Sequence, residues 1–431
     1  MLPEGRRRPQ LVATLLSANR LAEAWSAFEA DDQRIKPYGA STLSALLHAA
    51  HIVADRAALS SLLDRAAQSR ARGHVIESAA WRRRLAGLDA LRVSPPRLAE
   101  VAPIDSAPEL ASRVPPGDAM DLFRRVQETH PFIHADPSHV LADALAVAIA
   151  IADAARNKQP LSLIRLGDGE GNLLPYSPAL EPFAPLDRGA TMAAWWGERG
   201  RSQDHEPIQR MLEEATRAAD IVGIPDLLRI LRTERPGLAE SVGASGKNLR
   251  GLRAVLEFAA ANVAPDRLVT SCHVHQSLST WGLWHLLLPR LSPLSLITCH
   301  EQLAPALVSR FGAEIGKVFL VPPEHKHAAR FASQVAGHHY PDRFESLREE
   351  LRVIHPGQVV LVAAGVLGKV YCQWIRSAGG IGIDVGSAAD VWAGYYTRSI
   401  EENAGYAPLP GAIDGLRALA RHDPRVASIV G

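Results

Sequence analysis

The sequence predicts an α/β protein whose sheet is doubly wound and mostly parallel, with an all-α extension before it. From residue 161 onward, short apolar runs alternate with amphipathic helical stretches, which is typical of βαβ units. From residue 11 to about residue 91 the chain is rich in Ala, Leu and Arg at helical spacing, and no β-branched run competes. With 431 residues, the chain is long enough for two domains.

The composition indicates a folded protein without a polyanionic partner. Hydrophobic residues make up 47% of the chain and charged residues 22%, which is ordinary for a globular protein. The 47 Lys and Arg nearly balance the 46 Asp and Glu, so no basic field suggests nucleic acid. Cys272, Cys299 and Cys372 have no CxxC spacing, which favours a reducing, cytoplasmic location. We expect neither a signal peptide nor a membrane span, because charges interrupt the apolar stretches.

Four segments are predicted, namely a helical domain (1–91), a Pro-rich linker (92–118), the α/β domain (119–400) and a C-terminal tail (401–431). In the helical domain, the apolar pattern of residues 12–21 recurs weakly at residues 43–52. This echo resembles tetratricopeptide or pentatricopeptide repeats; an ordinary helical cap on the next domain is the alternative. The linker is predicted because its prolines block helix propagation.

Short apolar runs predict the strands, at residues 161–165, 220–224, 267–271, 294–298, 317–321, 358–364 and 382–385. Amphipathic helices are predicted between them, for example at residues 208–219, 301–311 and 366–377. In a doubly wound sheet, ligands bind beyond the carboxyl ends of the strands. The residues that follow each strand are therefore the site candidates.

The first predicted strand runs into a glycine-containing loop with two carboxylates. The loop reads Arg-Leu-Gly-Asp-Gly-Glu, which places Asp168 and Glu170 two positions apart. In an extended or turn-like segment both carboxylates would reach one hard cation, Mn²⁺ or Mg²⁺, while Gly167 and Gly169 would allow a ligand to come close. The cation would neutralise a diphosphate, and Arg165 would add a fixed positive charge. A solvated acidic pair is the alternative.

Several short motifs of the sequence together resemble those of the GT-D type of glycosyltransferase. They are the RLGDGE word after a strand, Trp195-Trp196-Gly197, Leu296-Ile297-Thr298, and the stretch from Val362 through Lys369 to Ser387. The resemblance implies a Rossmann-like fold in which the DxE pair, Asp168 and Glu170, handles a metal and a nucleotide-sugar diphosphate. Arg165, Gly167 and Gly169 inherit a donor-site role from the same word. Many relatives have a histidine where this chain has Ser387, so no particular donor or acceptor is transferred.

Two later strand ends provide further donor-binding candidates. Gly365 and Lys369 lie at a glycine turn and a helix start, where backbone N–H groups and the ammonium would receive phosphate. Tight strand-to-helix packing is the alternative at this position. Asp384, Gly386 and Ser387 follow the last predicted strand, and Asp384 is expected to accept from a ribose or sugar hydroxyl.

The histidines suggest a general base and an alternative metal site. His275, after the third predicted strand, is the predicted catalytic base for an acceptor hydroxyl, and His325 is the second choice. A zinc site would combine His273 and His275 with Cys299 and His300, but their spacing is not compact.

Together these residues predict a metal-dependent, hexosyltransferase-like enzyme that moves a sugar from a nucleoside diphosphate sugar to a hydroxyl acceptor. The resemblance implies a role in bacterial surface polysaccharide or glycoprotein glycan assembly, with a glycan or glycoprotein as acceptor. The helical N-terminus is expected to recruit a protein partner or to position the acceptor. A non-catalytic scaffold that binds through its helices is the alternative. An oxidoreductase is a third hypothesis, which the lack of a dinucleotide fingerprint does not favour.

Overall fold

The computed structural model describes residues 4–18, 20–30, 38, 40–53, 56–67, 81–82, 85, 118–130, 141–201, 204–226, 244–329, 331, 335–397 and 405–430. Apart from its last residue, the predicted linker at residues 92–118 lies outside these ranges.

The described N-terminal residues are helical, in α1 (Glu4–Ser17), α2 (Leu21–Glu29), α3 (Ala40–Val53) and α4 (Arg56–Ala67). Consecutive helices pack on one another, and α1 also contacts α3. Phe28 lies at the centre of this packing, because its ring centroid is 5.6 Å from that of Trp25 and 5.3 Å from that of Tyr38. The predicted all-α extension is confirmed, whereas its likeness to helical repeats stays a prediction.

Within the described residues one parallel sheet is present, formed by β1 (Leu161–Arg165), β2 (Ile221–Ile224), β3 (Leu268–Ser271), β4 (Leu294–Thr298), β5 (Ile315–Leu320), β6 (Val359–Val362) and β7 (Ile381–Asp384). The strand order is β3-β2-β1-β7-β6-β4-β5, and each neighbouring pair is parallel. Each strand falls on one of the predicted apolar runs. These runs are continuous because both faces of the inner strands are buried.

The described helices that accompany the sheet are α5 (Asp118–Thr129), α6 (Leu141–Arg156), α7 (Asp168–Gly171), α8 (Ala184–Arg201), α9 (Glu206–Ala218), α10 (Ala244–Asn262), α11 (Val274–Thr280), α12 (Leu283–Leu287), α13 (Leu303–Phe311), α14 (Phe344–Glu350), α15 (Leu367–Ser377), α16 (Ala388–Trp392), α17 (Ala412–Ala420) and α18 (Pro424–Val430). Short 3-10 turns occupy Glu181–Phe183, His325–His327 and Leu351–Val353, and a π-helical turn occupies His339–Arg343. Among the described helices, none combines the length and hydropathy that a membrane crossing requires.

Alternate residues of the strands belong to two hydrophobic cores on opposite faces of the sheet. In β1, Leu161 and Leu163 belong to the core that includes α6, α11, α12 and α13. Ile164 belongs to the core that includes α5, α9, α10, α14 and α15. Helices therefore cover both faces, which is the predicted doubly wound arrangement. α18 packs against α6 and α12, so the described part of the predicted C-terminal tail is folded onto the first of these cores.

The strand order leaves a crevice at the carboxyl ends of β1 and β7. The chain leaves β1 toward β2 and β3, and it later approaches β1 from the other side, through β6 and β7. Connections from neighbouring strands therefore run in opposite directions, which is where doubly wound sheets bind ligands. Leu163 of β1 pairs with Ile383 of β7, so Arg165 and Asp384 come to the same edge.

Candidate active site

A cleft of about 260 Å³ opens at this edge of the sheet. It is lined by most of the residues singled out in the sequence, namely Arg165, Gly167, Asp168, Gly169, Glu170, His275, Gly365, Lys369, Gly386 and Ser387. Asp384 is buried, with 3% of its surface exposed, and it contacts the lining residues from below. The structure therefore brings the predicted site residues together from β1, β3, β6 and β7.

The DxE pair lies on a helical turn, α7, and not on the extended or turn-like segment expected from the sequence. The reason is local: the Glu170 carboxylate accepts a hydrogen bond of 2.9 Å from the Gly167 N–H, which caps the turn. Residues two apart on a helix do not face each other. Glu170 accordingly reaches Lys369. Asp168 instead interacts with Lys247 of α10. Burial lowers the pKa of Lys247, and the negative charge of Asp168 partly opposes this effect.

Close backbone packing fixes the α7 turn in the cleft wall. A Cβ atom on Gly171 would lie 1.8 Å from the Gly251 carbonyl oxygen, and one on Gly251 would lie 2.1 Å from the Asp168 carbonyl oxygen. A Cβ on Gly169 would lie 2.8 Å from the Trp195 ring. Glycine at these positions lets α7 lie between α10 and the Trp195 ring.

Lys369 is the buried centre of the charge network, with its side chain only 4% exposed. Its Nζ atom is 2.7 Å from Glu170 Oε1 and 3.1 Å from Asp384 Oδ2, and it donates to the Gly365 carbonyl at 3.0 Å. Burial disfavours the charged ammonium, but Asp384 and Glu170 outweigh this effect and raise the pKa of Lys369. Burial likewise opposes ionisation of Glu170, yet Lys369 and the Gly167 N–H hold its pKa below the usual range.

Arg165 is held in a similar way by several acceptors from neighbouring strands. Its Nε atom donates to the Asp384 carbonyl at 3.1 Å and Nη2 donates to Asp384 Oδ1 at 3.2 Å. Nη1 donates to the Cys272 carbonyl at 2.8 Å and lies 2.9 Å from Nδ1 of His275. Both oxygens of Asp384 therefore lie against cations of the protein, and its expected contact with a sugar hydroxyl stays a prediction.

Gly386 and Gly365 leave room for this network. Gly386 has a φ of 47°, and a Cβ there would lie 1.8 Å from Arg165 Nη2. Gly365 has a φ of 56°, and a Cβ there would lie 2.5 Å from Glu324 Oε1. Residues that carry a side chain rarely adopt a positive φ, and a Cβ atom would also clash at each of these positions. The backbone conformation and the available space therefore both favour glycine.

His275 contacts Arg165, whereas its role as the general base stays a prediction. It is only 3% exposed. Because Arg165 is always a donor, it fixes Nδ1 of His275 as an acceptor. Nε2 of His275 lies 2.8 Å from the Tyr406 hydroxyl, which in turn lies 2.7 Å from Ser387 Oγ. With both ring nitrogens engaged, the geometry favours a positioning role for His275 over a general base.

A second histidine, His273, was considered in the sequence only as a zinc ligand. The predicted zinc set is not assembled: among the described residues, the group whose ligand atoms lie within 4.8 Å of one another is Asp226, Cys272 and His273. His300 is instead paired with Asp390 at 2.7 Å. Asp226, which lies just beyond β2, was missed, although the rule that sites follow strand ends would have found it.

Other contributors were also missed by the sequence analysis. Tyr406 lies far from the motifs, between α16 and α17, and only folding brings its hydroxyl to His275. Lys247 is half-buried on α10 and donates to Thr191 Oγ1 at 3.3 Å. No local pattern around either residue distinguishes it from an ordinary structural side chain.

Comparison with known proteins identifies the family. A family model described as a GT-D fold-like domain matches residues 142–392. The matched segment contains the whole described sheet and every predicted site residue, whereas Tyr406 lies beyond it. No curated protein and no solved structure matches the chain. Since the matched segment spans more than half of the chain and carries the DxE turn at the expected edge of the sheet, the protein belongs to the GT-D-like family.

Proposed function

We propose that this protein is a glycosyltransferase that moves a sugar from a nucleoside diphosphate sugar to a hydroxyl acceptor. The observation that carries the proposal is the DxE turn, which sits at the switch point between β1 and β7 of a GT-D-like domain. Asp168 and Glu170 line the cleft there, next to basic groups supplied by several strands. Basic groups beside a cleft suit the diphosphate of a donor.

The carboxylates fit a divalent cation of the Mn²⁺ or Mg²⁺ type. Such ions take oxygen ligands, and Mg²⁺ is commonly held by one or two carboxylates together with substrate phosphates. Asp168 and Glu170 are the proposed carboxylate ligands, and Glu170 would keep its contacts with Lys369 and the Gly167 N–H at the same time. When bound, the ion would neutralise charge that develops on the leaving diphosphate.

The other site residues keep the cleft in shape. Glu170 and Asp384 fix Lys369, and Asp384 also fixes Arg165. His275 and the Tyr406 hydroxyl hold Arg165 from the opposite side. Preorganised positive groups of this kind stabilise negative charge without having to rearrange during the reaction.

The biological setting follows from the resemblance. We propose a cytoplasmic enzyme of bacterial surface polysaccharide or glycoprotein assembly, with a glycan or glycoprotein as acceptor. Its helical N-terminus would recruit a protein partner. A pull-down with the α/β domain alone and with the full chain would show whether that partner needs the helices.

The direct test is calorimetric titration of the full chain with a panel of nucleoside diphosphates, with and without Mn²⁺ or Mg²⁺. Asp168→Asn should abolish the metal dependence of binding. Glu170→Gln should weaken binding in the presence of metal, because the second proposed carboxylate ligand loses its charge. Release of nucleoside diphosphate from a panel of sugar nucleotides gives an activity readout that needs no known acceptor. Asp414→Asn, at an exposed pair on α17, is the matched control.

A non-catalytic scaffold remains the competing function. A well-folded chain that binds no nucleotide and releases none from any sugar nucleotide would favour the scaffold and exclude the transferase. Binding of a dinucleotide in place of a nucleoside diphosphate would instead favour an oxidoreductase.

A further inference from the structure

We infer that His273 is the residue that binds the donor's diphosphate, as an imidazolium that donates its Nε2–H to a phosphate oxygen. This inference rests on the proposed function and names a contact within the same cleft. It assigns a substrate-binding role to a residue outside the DxE motif and replaces Lys369 as the main phosphate ligand.

His273 is held by the buried carboxylate of Asp226. Its Nδ1 atom lies 2.8 Å from Asp226 Oδ2, and Asp226 is only 1% exposed. The Ser271 hydroxyl donates to the same oxygen at 2.6 Å and accepts from the His273 N–H at 2.9 Å. Asp226 and Ser271, at the ends of β2 and β3, thus orient one imidazole, which lines the cleft.

The two buried cations of the cleft, Lys369 and Arg165, are held mainly by acceptors of the protein itself. Lys369 Nζ donates a hydrogen bond to the Gly365 carbonyl and forms ion pairs with the carboxylates of Glu170 and Asp384. A guanidinium has five N–H groups, and Arg165 directs four of them to the protein acceptors described above. A phosphate at Lys369 would therefore compete with Glu170 and Asp384 for the same positive charge.

His273 differs because only one of its ring nitrogens is used. Nδ1 binds Asp226, whereas Nε2 makes no hydrogen bond to any residue that the structure describes. The side chain is 24% exposed, so Nε2 can meet a ligand without a rearrangement of the buried network. A charged donor that is aimed by a fixed acid and still open on one side is suited to an anionic oxygen.

The electrostatics keep this donor protonated. Burial alone would lower the pKa of His273, but the charges of Cys272 and Asp226 and the hydrogen bond to Asp226 raise it to about 10. The Arg165 guanidinium, which donates to the Cys272 carbonyl, is the nearby cation on the β1 side. At neutral pH the imidazolium therefore binds an anion and cannot accept a proton from an acceptor hydroxyl.

The experiment compares wild-type protein with His273→Gln, Asp226→Asn and His355→Gln by calorimetry. The ligands are the nucleoside diphosphate that wild type binds, the matching nucleoside and inorganic pyrophosphate. In His273→Gln, the glutamine amide could still satisfy Asp226, but the side chain would have no charge and no second ring nitrogen. We expect His273→Gln to weaken diphosphate and pyrophosphate binding on the order of 10- to 100-fold and to leave nucleoside binding unchanged. Asp226→Asn should have a smaller effect in the same direction. His355→Gln, at an exposed histidine outside the cleft, should match wild type.

Three results would overturn the inference, and each can be distinguished from the other two. If wild type binds nucleotide and folded His273→Gln binds it equally well, His273 does not contact the diphosphate, while the proposed function stands. If only the rate of transfer falls, His273 serves the acceptor. Metal analysis is the third readout: stoichiometric Zn²⁺ or Co²⁺ bound to the purified chain and lost in Cys272→Ser would make Asp226, Cys272 and His273 a metal centre. Absence of any nucleotide binding by wild type would instead reject the proposed function itself.

Discussion

Lys369 Nζ lies 2.7 Å from Oε1 of Glu170, and both side chains are buried at the carboxyl edge of the sheet. This pair links the DxE turn after β1 to the first turn of α15. It also explains why the turn contains glutamate: a carboxylate at this position caps α7 and neutralises Lys369 at the same time. The pair makes the motif part of the fold as well as part of the cleft.

Removal of Lys369 should therefore destabilise the protein strongly. Lys369→Met leaves the Glu170 carboxylate without its cation and Asp384 with Arg165 alone, for which we expect a loss of about 3 to 5 kcal/mol in the free energy of unfolding. Denaturant unfolding measures it. In the double variant Lys369→Met/Glu170→Gln, the loss should be smaller than the sum of the single losses. Strict additivity would contradict the pairing, and Arg352→Met, at an exposed pair, should cost less than about 1 kcal/mol.

Gly386→Ala should weaken nucleotide binding in addition to the stability that it loses through backbone strain. The positive φ alone costs about 1 to 2 kcal/mol, and the new Cβ would also displace Arg165 Nη2. Gly312→Ala separates the two effects, because Gly312 has a φ of 67° and no atom within 4 Å of the added Cβ. We expect nucleotide binding to fall in Gly386→Ala and to be unchanged in Gly312→Ala. Equal binding by both variants would exclude a role for the Arg165 position.

Tyr406→Phe tests whether the segment beyond the matched domain belongs to the site. The change removes the hydroxyl that joins His275 to Ser387 and should cost about 1 to 2 kcal/mol of stability, because a buried ring nitrogen loses its partner. Combined with Ser387→Ala in a double-mutant cycle, it should show a coupling energy of roughly 0.5 kcal/mol or more. In kinetic assays we expect a higher KM for the donor. An unchanged KM, with only stability affected, would restrict Tyr406 to a structural role.

Acid should destabilise the protein through His339. Burial, together with the charge of Arg343, lowers the pKa of His339 to about 3. The unfolded chain binds a proton near pH 6.5, where the folded chain does not, so stability is lost as the pH falls below that value. The loss should reach up to about 1.4 kcal/mol per pH unit and stop near the folded pKa. His339→Gln should reduce the slope of unfolding free energy between pH 6.5 and 5. Parallel slopes for wild type and variant would contradict the assignment.

Much of the fold could be predicted from apolar patterns alone. Buried parallel strands need both faces apolar, so the runs at β1, β4 and β6 were visible as continuous segments of Leu, Ile and Val. The DxE turn and the later glycines followed from their position after strands. The helical conformation of the turn did not follow from the sequence, because it depends on the hydrogen bond between the Glu170 carboxylate and the Gly167 N–H.

The roles of individual side chains were harder to predict than their presence in the site. His275 was predicted as the general base with His325 as the second choice, and His273 was considered only as a zinc ligand, because nothing local distinguishes the two histidines that follow β3. The difference arises from their partners: Arg165 and Tyr406 occupy the ring of His275, whereas Asp226 occupies only one nitrogen of His273. These partners come from separate parts of the chain.

The sequence by itself determined that this protein has a parallel, doubly wound sheet with a helical extension, and that its cleft carries an acidic DxE turn. Periodicity and the residues at strand ends are local properties, so one chain is enough to show them. Only the tertiary structure decided which charges meet. Arg165 and Asp384 are 219 positions apart, and His275 and Tyr406 are 131 apart. Their contacts depend on the order and register of the strands, which cooperative packing of the two cores sets and no local pattern specifies.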